Sequence, residues 1–336
     1  MRIIVIGASG FIGTYLIQEL ISCGNKVIAT GRNPVIMGHM QRMGVECYSL
    51  DITNKDTFKK LPTENIDGVV LLAALLPANV NNNNPYDYID INIKGTLNVL
   101  EFCRKNNITK IISTTSYADV YNHWQKDIPI SADIFRDYKL EGDHAEYIIS
   151  KNAATDLILY YNKQYNLQGS IFRLPPVYGY GPHSEIYVDG KYYKSGFQIF
   201  LDNAQAGKSI EIYGNKDLSR DVVYVKDVAK AFISALNSSK SKGVYNISSG
   251  IATTLENQVK DIINVFCDKK KDISKIIYSP EKPNSGKSYV LDISKASKDF
   301  GYKPEYVPFK KLLQDYKDEM TNKRFEYLVK ARKISK

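Results

Sequence analysis

Short apolar runs alternate with longer polar and mixed segments along the first half of the chain. The runs predict six strands, at Ile3–Ile6, Lys26–Thr30, Val45–Leu50, Asp67–Ala74, Lys110–Thr115 and Ser170–Leu174. Between them, Tyr86–Asn106 is predicted to be a long amphipathic helix and Ala145–Tyr165 a second long helix. Strands that alternate with helices are typical of a doubly wound parallel α/β sheet with right-handed crossovers.

The pattern becomes irregular beyond the sixth strand. The segment PPVYGYGP, which begins at Pro175, is rich in turn residues, and short strands and helices follow it in no regular order. Asp221–Val225 and Val244–Ile247 are expected to return to the main sheet. The remaining residues are expected to build a smaller lobe beside the carboxyl edge of the sheet, where a substrate would bind.

A strand, a glycine-rich turn and a helix follow one another at the start of the chain. Gly7, Gly10 and Gly13 come directly after the first strand. The first glycine allows a tight turn, the second lets the backbone approach a pyrophosphate, and the third lets the helix pack close to the strand. The helix N-terminus adds free N–H groups and the positive end of a dipole. The arrangement predicts a dinucleotide site; the alternative is an ordinary strand-to-helix turn.

The end of the second strand bears on which dinucleotide is bound. A carboxylate about 20 residues after the glycines usually binds the adenosine ribose and selects NAD, but this strand ends in Thr30-Gly31-Arg32-Asn33. Arg32 can pair with a 2′-phosphate, which favours NADP(H) and leaves NAD(H) as the alternative. Its other interpretations are stacking on the adenine and facing solvent. Asp51 and Ile52, after the third strand, are expected to touch the adenine ring.

Tyr147 and Lys151 are four residues apart on the second long helix, so both side chains lie on one face. A tyrosine with its ordinary pKa of about 10 is a poor base, but a fixed ammonium beside it lowers that pKa and gives an acid–base group for a sugar or alcohol oxygen. The same lysine can hold the nicotinamide ribose. The alternative is an ordinary surface pair. The other Tyr-x-x-x-Lys pairs contain Gly or Pro and are not expected on a helix: Tyr187/Lys191, Tyr278/Lys282 and Tyr306/Lys310.

Hydroxyl groups end the fifth strand, in Ser113-Thr114-Thr115-Ser116. Thr115 or Ser116 is expected to face the site and to hydrogen-bond the substrate oxygen that Tyr147 protonates. The alternative is that hydroxyls at a strand end cap the following segment.

Composition limits the remaining classes of function. Hydrophobic residues make up 43% and charged residues 24% of the 336 residues, which is typical of a soluble globular protein. The longest apolar run, Val69–Leu76, is far shorter than the about 20 residues of a membrane helix. The four cysteines and four histidines lack disulfide or metal-ligand spacing, so no metal site is expected and a reducing, cytoplasmic setting fits best.

The net charge of +9 is spread along the chain. Its one concentration is the C-terminal tail from Lys323, which is interpreted as a solvated helix end. A basic balance suits an anionic small substrate and does not by itself predict a nucleic-acid partner.

The motifs, in this order, resemble the extended short-chain dehydrogenase/reductase family, that is, the NAD-dependent epimerase/dehydratase group that acts on nucleotide sugars. The resemblance runs from Arg2 to about Met320 and includes the family's GxxGxxG spacing. Besides Tyr147/Lys151, it is carried by GASGFIG, DI, AA, NIKGTLN, RLPPVYG, RDVVYV, DISKA and FGYKP, which start at residues 7, 51, 73, 92, 173, 220, 292 and 300.

This resemblance implies a nicotinamide dinucleotide cofactor and a nucleotide-diphosphate sugar as substrate. Tyr147 would be the acid/base and Lys151 would orient the nicotinamide ribose. Arg220 would grip the substrate diphosphate, beside Tyr178 in the substrate site. The implied cofactor-binding residues are Gly7, Ser9, Gly10, Phe11, Ile12, Gly13, Arg32, Asp51, Ile52, Ala73, Ala74, Asn92, Lys151 and Pro175.

The resemblance also implies how the chain is divided and assembled. A Rossmann domain is expected from residues 1–173 plus 221–249, and a substrate-binding lobe from residues 174–220 plus 250–336. A homodimer is expected through the two long helices, with neither nucleic acid nor membrane as a partner.

Three departures from the family pattern narrow the activity. The segment Ser116–Tyr121 is one residue longer than the usual serine-to-Val-Tyr spacing, so Thr115 and Ser116 both remain candidates for the catalytic hydroxyl. Only Asp119 precedes Val120, where the dehydratases carry Thr-Asp-Glu, which argues against 4,6-dehydration. Gly31-Arg32 replaces the acidic selector for NAD.

The leading hypothesis is an epimerase that acts by hydride transfer at a sugar carbon, commonly C4, with one bound cofactor. The alternative is a 4-keto-sugar-nucleotide reductase that consumes NADPH, which Arg32 favours. A 4,6-dehydratase and a non-catalytic NADP sensor are weaker hypotheses, and a sensor would be expected to lack the Tyr147/Lys151 pair. An RNA-binding relative would need a clustered basic face with exposed aromatic residues, which the sequence does not show.

Overall fold

The computed structural model describes the chain from Met1 to Ile334 apart from a few short segments. The described residues are 1–77, 84–125, 128–142, 144–182, 184–188, 191–268, 273–284 and 286–334. Most of the polar loop predicted between Pro77 and Pro85 therefore lies outside the described residues.

The strands are short, as the apolar runs predict. They are β1 Arg2–Ile6, β2 Lys26–Thr30, β3 Glu46–Tyr48, β4 Gly68–Leu71, β5 Lys110–Ser116, β6 Gln168–Leu174, β7 Val177–Tyr178, β8 Glu185–Val188, β9 Lys191–Lys194, β10 Ile210–Tyr213, β11 Ser219–Asp221, β12 Val223–Tyr224, β13 Gly243–Asn246, β14 Ala252–Thr254 and β15 Ile276–Ser279.

The helices follow the expected alternation with the strands. They are α1 Phe11–Ser22, α2 Pro34–Arg42, α3 Pro85–Tyr88, α4 Gly95–Lys105, α5 Ala145–Gln164, α6 Gly196–Ala206, α7 Val225–Asn237, α8 Leu255–Phe266, α9 Ser294–Phe300, α10 Phe309–Asn322 and α11 Glu326–Ile334. The predicted helix Tyr86–Asn106 is found as α3 and α4 joined by a π-helical turn, Ile89–Lys94. Short 3₁₀ helices occupy Lys55–Lys60 and Tyr117–His123.

Within the described residues, seven parallel strands form the central sheet, in the order β13-β6-β5-β4-β1-β2-β3. The strand order reverses between β1 and β4, so the carboxyl ends of these strands border a crevice of the kind that binds ligands in open α/β sheets. The prediction of a doubly wound parallel α/β sheet is confirmed.

Of the two later segments expected to return to the main sheet, one does so and the other does not. Val244–Ile247 joins the main sheet as β13, which pairs with β6. Asp221–Val225 does not join it: β11 pairs with β14, β12 pairs with β7, and Val225 begins α7. The apolar character of this segment is explained by burial between the sheet and the smaller lobe's strands, where Asp221 to Val225 are all buried.

The hydrophobic core lies on both faces of the main sheet. Residues of α1, α2 and α7 cover one face, and residues of α4 and α5 cover the other. A separate cluster joins α6, α8 and α10 to β10 and forms a smaller lobe. The division of the chain at residues 173, 220 and 249 stays a prediction. Along the described part of the chain, no helix combines the length and the apolar character needed to cross a bilayer.

The C-terminal tail differs from the expected solvated helix end. Lys323, Arg324 and Lys330 are exposed. Phe325 and Leu328, however, are buried in the core cluster that contains residues of α1 and α2. The tail is therefore a packed helix with a charged outer face.

Candidate active site

The glycine-rich turn after β1 has the geometry of a phosphate-binding turn. Gly7 has a φ of 89°, and a Cβ there would lie 2.5 Å from the backbone nitrogen of Ala73. A Cβ on Gly13 would lie 2.5 Å from the Gly7 carbonyl oxygen, because α1 packs closely against the turn. Among the described residues, a Cβ on Gly10 would contact that oxygen alone, at 3.2 Å. Internal packing therefore demands little of Gly10, and the space beside it is open to a ligand.

The N-terminus of α1 is suited to an anion. Its N-cap residue, Gly10, makes no side-chain cap hydrogen bond, and the first turn contains no acidic residue. The first N–H groups of a helix lack intrahelical acceptors and carry the positive end of the dipole. Phe11 is buried in this turn, whereas Ser9 and Ile12 are half-buried beside it. The turn and the helix end together suit a pyrophosphate.

Gly31 and Arg32 follow β2 directly. A Cβ on Gly31 would lie 2.5 Å from Ser9 Oγ, so this glycine lets the chain pass close to the phosphate-binding turn. Arg32 is exposed, and its guanidinium has no hydrogen bond or ion pair with any described residue. Hydrogen bonds from Thr53 hold the pKa of Asp51 below its usual range, and the nearby charge of Arg32 adds to this effect. The guanidinium is thus close to Asp51 and available to an anion.

Three further predicted cofactor residues lie at the same edge of the sheet. Ala73 and Ala74 follow β4 and are half-buried, and the Ala73 nitrogen donates a hydrogen bond to the carbonyl of Ile6 at 3.0 Å. Ile52 is buried against Gly95, where a Cβ would lie 2.6 Å from the Ile52 side chain. Gly95, the glycine of the NIKGTLN motif, therefore leaves the space that the Ile52 side chain occupies.

Asn92 joins the segment after β4 to α5. It lies in the π-helical turn and is buried. Its Oδ1 accepts a hydrogen bond from the Leu75 nitrogen at 2.8 Å. Its Nδ2 donates to the Leu75 carbonyl at 3.2 Å and to Ser150 Oγ at 2.9 Å. The amide is thereby fully used within the protein, so a role of Asn92 in cofactor binding would act through Leu75 and α5.

Tyr147 and Lys151 lie in the first half of α5, which packs beside β5. Burial raises the pKa of Tyr147, and the nearby Tyr88 and Asp119 raise it further. Burial also lowers the pKa of Lys151 to about 8. The lowered tyrosine pKa expected from the lysine is therefore not found: desolvation is the largest influence on the Tyr147 pKa and raises it. Lys151 Nζ makes no hydrogen bond or ion pair within the described ranges.

The two candidate hydroxyls at the end of β5 differ in what they contact. Ser116 Oγ accepts a hydrogen bond from the Ala118 nitrogen at 3.2 Å and so caps the 3₁₀ helix that follows. Thr115 Oγ1 is buried and has no hydrogen-bond partner in the described part of the protein. An unpaired buried hydroxyl is unfavourable, and of the two candidates Thr115 is the one whose hydroxyl is not already used by the described residues.

A buried ion pair lies next to these hydroxyls. Arg173 Nε donates to Asp119 Oδ1 at 2.7 Å, and the two side chains are 1% and 2% exposed. Arg173 Nη1 also donates to Asn246 Oδ1 at 3.0 Å and to the Ala132 carbonyl at 3.2 Å. Burial raises the pKa of Asp119, although Arg173 opposes the shift. The pair brings a carboxylate near Tyr147 and helps to keep its phenol protonated.

The predicted substrate residues lie where the smaller lobe meets the sheet. Tyr178 packs on Phe197 with ring centroids 4.7 Å apart, and burial raises its pKa to about 12. Arg220 is exposed and lies against Gly286, where a Cβ would be 2.0 Å from its Nη2. The described residues offer its guanidinium no hydrogen bond or ion pair, which leaves it available to an anion. Pro175 is buried directly after β6.

Comparison with known proteins identifies the family. The model of the NAD dependent epimerase/dehydratase family matches residues 3–248. The chain belongs to this family. It is also 32% identical over 312 residues to a putative UDP-glucose 4-epimerase of Methanocaldococcus jannaschii, with 90% of this chain and 93% of that protein covered. The resemblance to extended short-chain dehydrogenases/reductases predicted from the motifs is confirmed.

Solved structures of family members share the fold over nearly the whole chain. The UDP-glucose 4-epimerase of Thermotoga maritima, solved with UDP-glucose, matches with a TM-score of 0.76 at 23% identity, and 96% of this chain and 99% of that chain are covered. The UDP-glucuronic acid 4-epimerase of Bacillus cereus, solved with NAD, matches with a TM-score of 0.72 at 24% identity and the same coverage. At these identities the likeness is one of fold.

Two contacts beside the site of this family member were not predicted from its sequence. The Asp119–Arg173 pair follows from the pairing of β5 with β6, in which Thr115 lies opposite Arg173. Ser150 lies three residues after Tyr147 and donates to the Tyr147 carbonyl at 2.8 Å. The helical spacing of Ser150 was visible in the sequence, but its partner Asn92 comes from a distant helix.

Proposed function

We propose that the protein is a nucleotide-sugar epimerase that uses a nicotinamide dinucleotide and inverts a sugar carbon, C4, by hydride transfer from and back to that carbon. The observation that carries the proposal is the Tyr147/Lys151 pair on α5, which packs beside the hydroxyls of β5 in a fold that begins with a phosphate-binding turn. The likeness to a putative UDP-glucose 4-epimerase supports this reaction.

The residues present fit a dinucleotide. Gly10 leaves open space at the N-terminus of α1, which has no side-chain cap and suits the pyrophosphate. When bound, the nicotinamide accepts and returns the hydride. Arg32, with its free guanidinium, supports NADP(H) as the preferred form. The NAD in the Bacillus cereus epimerase supports NAD(H) as the alternative.

The side chains of this chain divide the remaining work. Tyr147 takes the proton from the sugar hydroxyl as the carbon is oxidised and returns it when the carbon is reduced. Since burial raises the pKa of Tyr147, this step depends on positive charge close by, which Lys151 supplies on this chain. Thr115 Oγ1 hydrogen-bonds the same sugar oxygen, with Ser116 as the alternative donor. Arg220 holds the diphosphate, next to Tyr178.

The test of the acid/base is Y147F, assayed for interconversion of UDP-glucose and its C4 epimer. Loss of the phenolic proton carrier should lower kcat by about 10²–10⁴-fold and leave the cofactor Kd near that of the unmodified protein. Y278F is the matched control, because Tyr278 belongs to another Tyr-x-x-x-Lys pair and donates to Glu256 at the surface. Turnover by Y147F equal to that of Y278F would show that Tyr147 is not the acid/base.

A 4-keto-sugar-nucleotide reductase is the second candidate, because Arg32 favours a cofactor exchanged with solution. The nucleotide that accompanies the purified protein, released by acid and identified by mass, separates the two. Near-stoichiometric NAD supports the epimerase and contradicts the interpretation of Arg32. A protein without bound nucleotide that oxidises NADPH with a 4-keto-6-deoxy sugar nucleotide supports the reductase. Bound NADP without turnover of either substrate supports a sensor.

We also propose that two copies pair through the two long helices. Ile89 and Leu97 on one helix and Ile149 and Tyr160 on the other are large apolar side chains that are 38–52% exposed. Apolar groups on neighbouring helix faces are typical of a subunit interface. L97E with I149E should convert a dimer to a monomer in light scattering, and a monomeric unmodified protein would contradict the proposal.

A further inference from the structure

The C-terminal segment, Phe325–Ala331, packs on the domain that begins the chain. It follows α10, whose residues belong to the smaller lobe, and a turn at Lys323 with a φ of 54° redirects the chain. Phe325, Leu328 and Ala331 are buried in the cluster that contains α1 and α2. These two helices begin directly after the phosphate-binding turn and after Arg32. The segment therefore lies behind the two helices that border the proposed cofactor site.

Phe325 is the central contact of this segment. Its ring is 1% exposed and stacks on Tyr15 of α1, with centroids 3.8 Å apart and planes inclined by 21°. Tyr15 also meets the ring of Phe11 edge-on at 5.5 Å. Phe11 is the residue directly after Gly10, so the stack reaches the residue next to the phosphate-binding turn.

Tyr15 connects the same stack to the loop after β6. Its hydroxyl donates a hydrogen bond to the Tyr180 carbonyl at 2.8 Å. Gly179 and Gly181 lie so close to Phe11 that a Cβ on either would approach its ring to 2.9 Å and 2.7 Å. This loop continues from Pro175, which the family resemblance assigns to the cofactor site. Tyr15 and Phe11 thus hold both the phosphate-binding turn and the loop in place.

We infer that the C-terminal segment is a positioning element of the cofactor site, and that Phe325 is a positioning residue that holds Tyr15 against the Val177–Gly181 loop. The inference rests on the proposed binding of a nicotinamide dinucleotide. It goes beyond the family match, which ends at residue 248. Phe325 touches neither cofactor nor substrate; it acts through Tyr15.

The experiment compares F325A with F300A in the full chain. Phe300 is also a buried aromatic residue and stacks on Phe172 at 5.9 Å, but it belongs to α9, which packs at β13, the edge strand of the main sheet. The nucleotide-free proteins are titrated with NADPH and with NADH, followed by nucleotide fluorescence. F325A should raise the Kd of the preferred nucleotide by about three- to tenfold, and F300A should leave it unchanged at a similar loss of thermal stability. Hydrogen exchange at Val177–Gly181 should be faster in F325A only.

A smaller change keeps the test decisive if F325A does not fold. Y15F removes one hydroxyl and its hydrogen bond to Tyr180, and should raise the Kd by about two- to fivefold with little change in melting temperature. F325L, which keeps an apolar side chain on Tyr15, should restore most of the affinity. Unchanged Kd values in both F325A and Y15F would overturn the inference. Failure of the unmodified protein to bind either nucleotide would instead overturn the proposed function.

Discussion

The buried Arg173–Asp119 pair allows a quantitative prediction about stability. R173M removes the guanidinium and keeps a side chain of similar length. The pair is closed at 2.7 Å with both side chains at most 2% exposed, so water does not screen the charge that is left behind. Removing one partner of such a pair costs about 3–5 kcal/mol. The lost hydrogen bonds to Asn246 and to the Ala132 carbonyl add to this cost, because each leaves a buried acceptor unpaired.

The cost of R173M should depend on pH. Burial already raises the pKa of Asp119, and Arg173 opposes that shift, so R173M raises the pKa further. A carboxyl group whose pKa is higher in the folded than in the unfolded state contributes its full stability below the unfolded pKa, about 4. It loses that contribution as the pH rises through the folded pKa. The free energy of unfolding of R173M should therefore be closest to that of the unmodified protein near pH 5 and differ most from it near pH 8.

Urea denaturation at both pH values measures this difference. The double variant D119N/R173M is the control, because it removes the stranded charge and should recover much of the stability that R173M loses at pH 8. A difference in the free energy of unfolding between R173M and the unmodified protein that is equal at the two pH values would contradict the reasoning. So would a double variant less stable than R173M, because Asp119 would then not be the source of the penalty.

Three further predictions concern the site and its surroundings. G10A should weaken binding of a nicotinamide dinucleotide by more than about tenfold and leave the melting temperature close to that of the unmodified protein. G13A should lower both the affinity and the melting temperature, since its Cβ would lie 2.5 Å from a carbonyl oxygen of the turn. Burial raises the pKa of Asp221 to about 6, so its contribution to stability is present below pH about 4 and is lost by pH about 6. Between pH 4 and pH 7, the free energy of unfolding of the unmodified protein should therefore fall by up to about 3 kcal/mol relative to that of D221N, measured by denaturant titration. S150A removes the hydrogen bond that Asn92 of the π-helical turn donates to α5 and the bond from Ser150 to the Tyr147 carbonyl within α5. It should lower kcat by about three- to tenfold with an unchanged cofactor Kd, measured by steady-state kinetics and nucleotide titration.

Motifs within a single strand–turn–helix unit or a single helical turn could be predicted from the sequence. The close packing of Gly10 and Gly13 involves β1, the turn and α1 alone, and the structure gives each of these two glycines a distinct steric environment. Tyr147 and Lys151 share a face because they are four residues apart on one helix. Such features need no knowledge of which distant segments pack together.

Contacts between distant segments could not be predicted in the same way. Asp221–Val225 is an apolar run, and burial of such a run does not specify which strand it pairs with; here it is divided between β11 and β12. The pKa of Tyr147 depends likewise on desolvation by packing against other elements, which the spacing of Tyr147 and Lys151 does not describe. Sequence spacing predicts the pair, whereas the packed protein sets its protonation.

The C-terminal helix shows why a run of charge is an incomplete guide. Arg324 and Lys330 are exposed, as expected for a solvated helix end. Phe325, directly before α11, and Leu328 and Ala331 within it nevertheless recur every three residues and are buried. This spacing suits one face of a helix. A short helix can carry charge on one face and pack through the other, so charge predicts only the outward face. The apolar face determines where the helix docks, and in this protein it docks on the helices that begin at the proposed cofactor site.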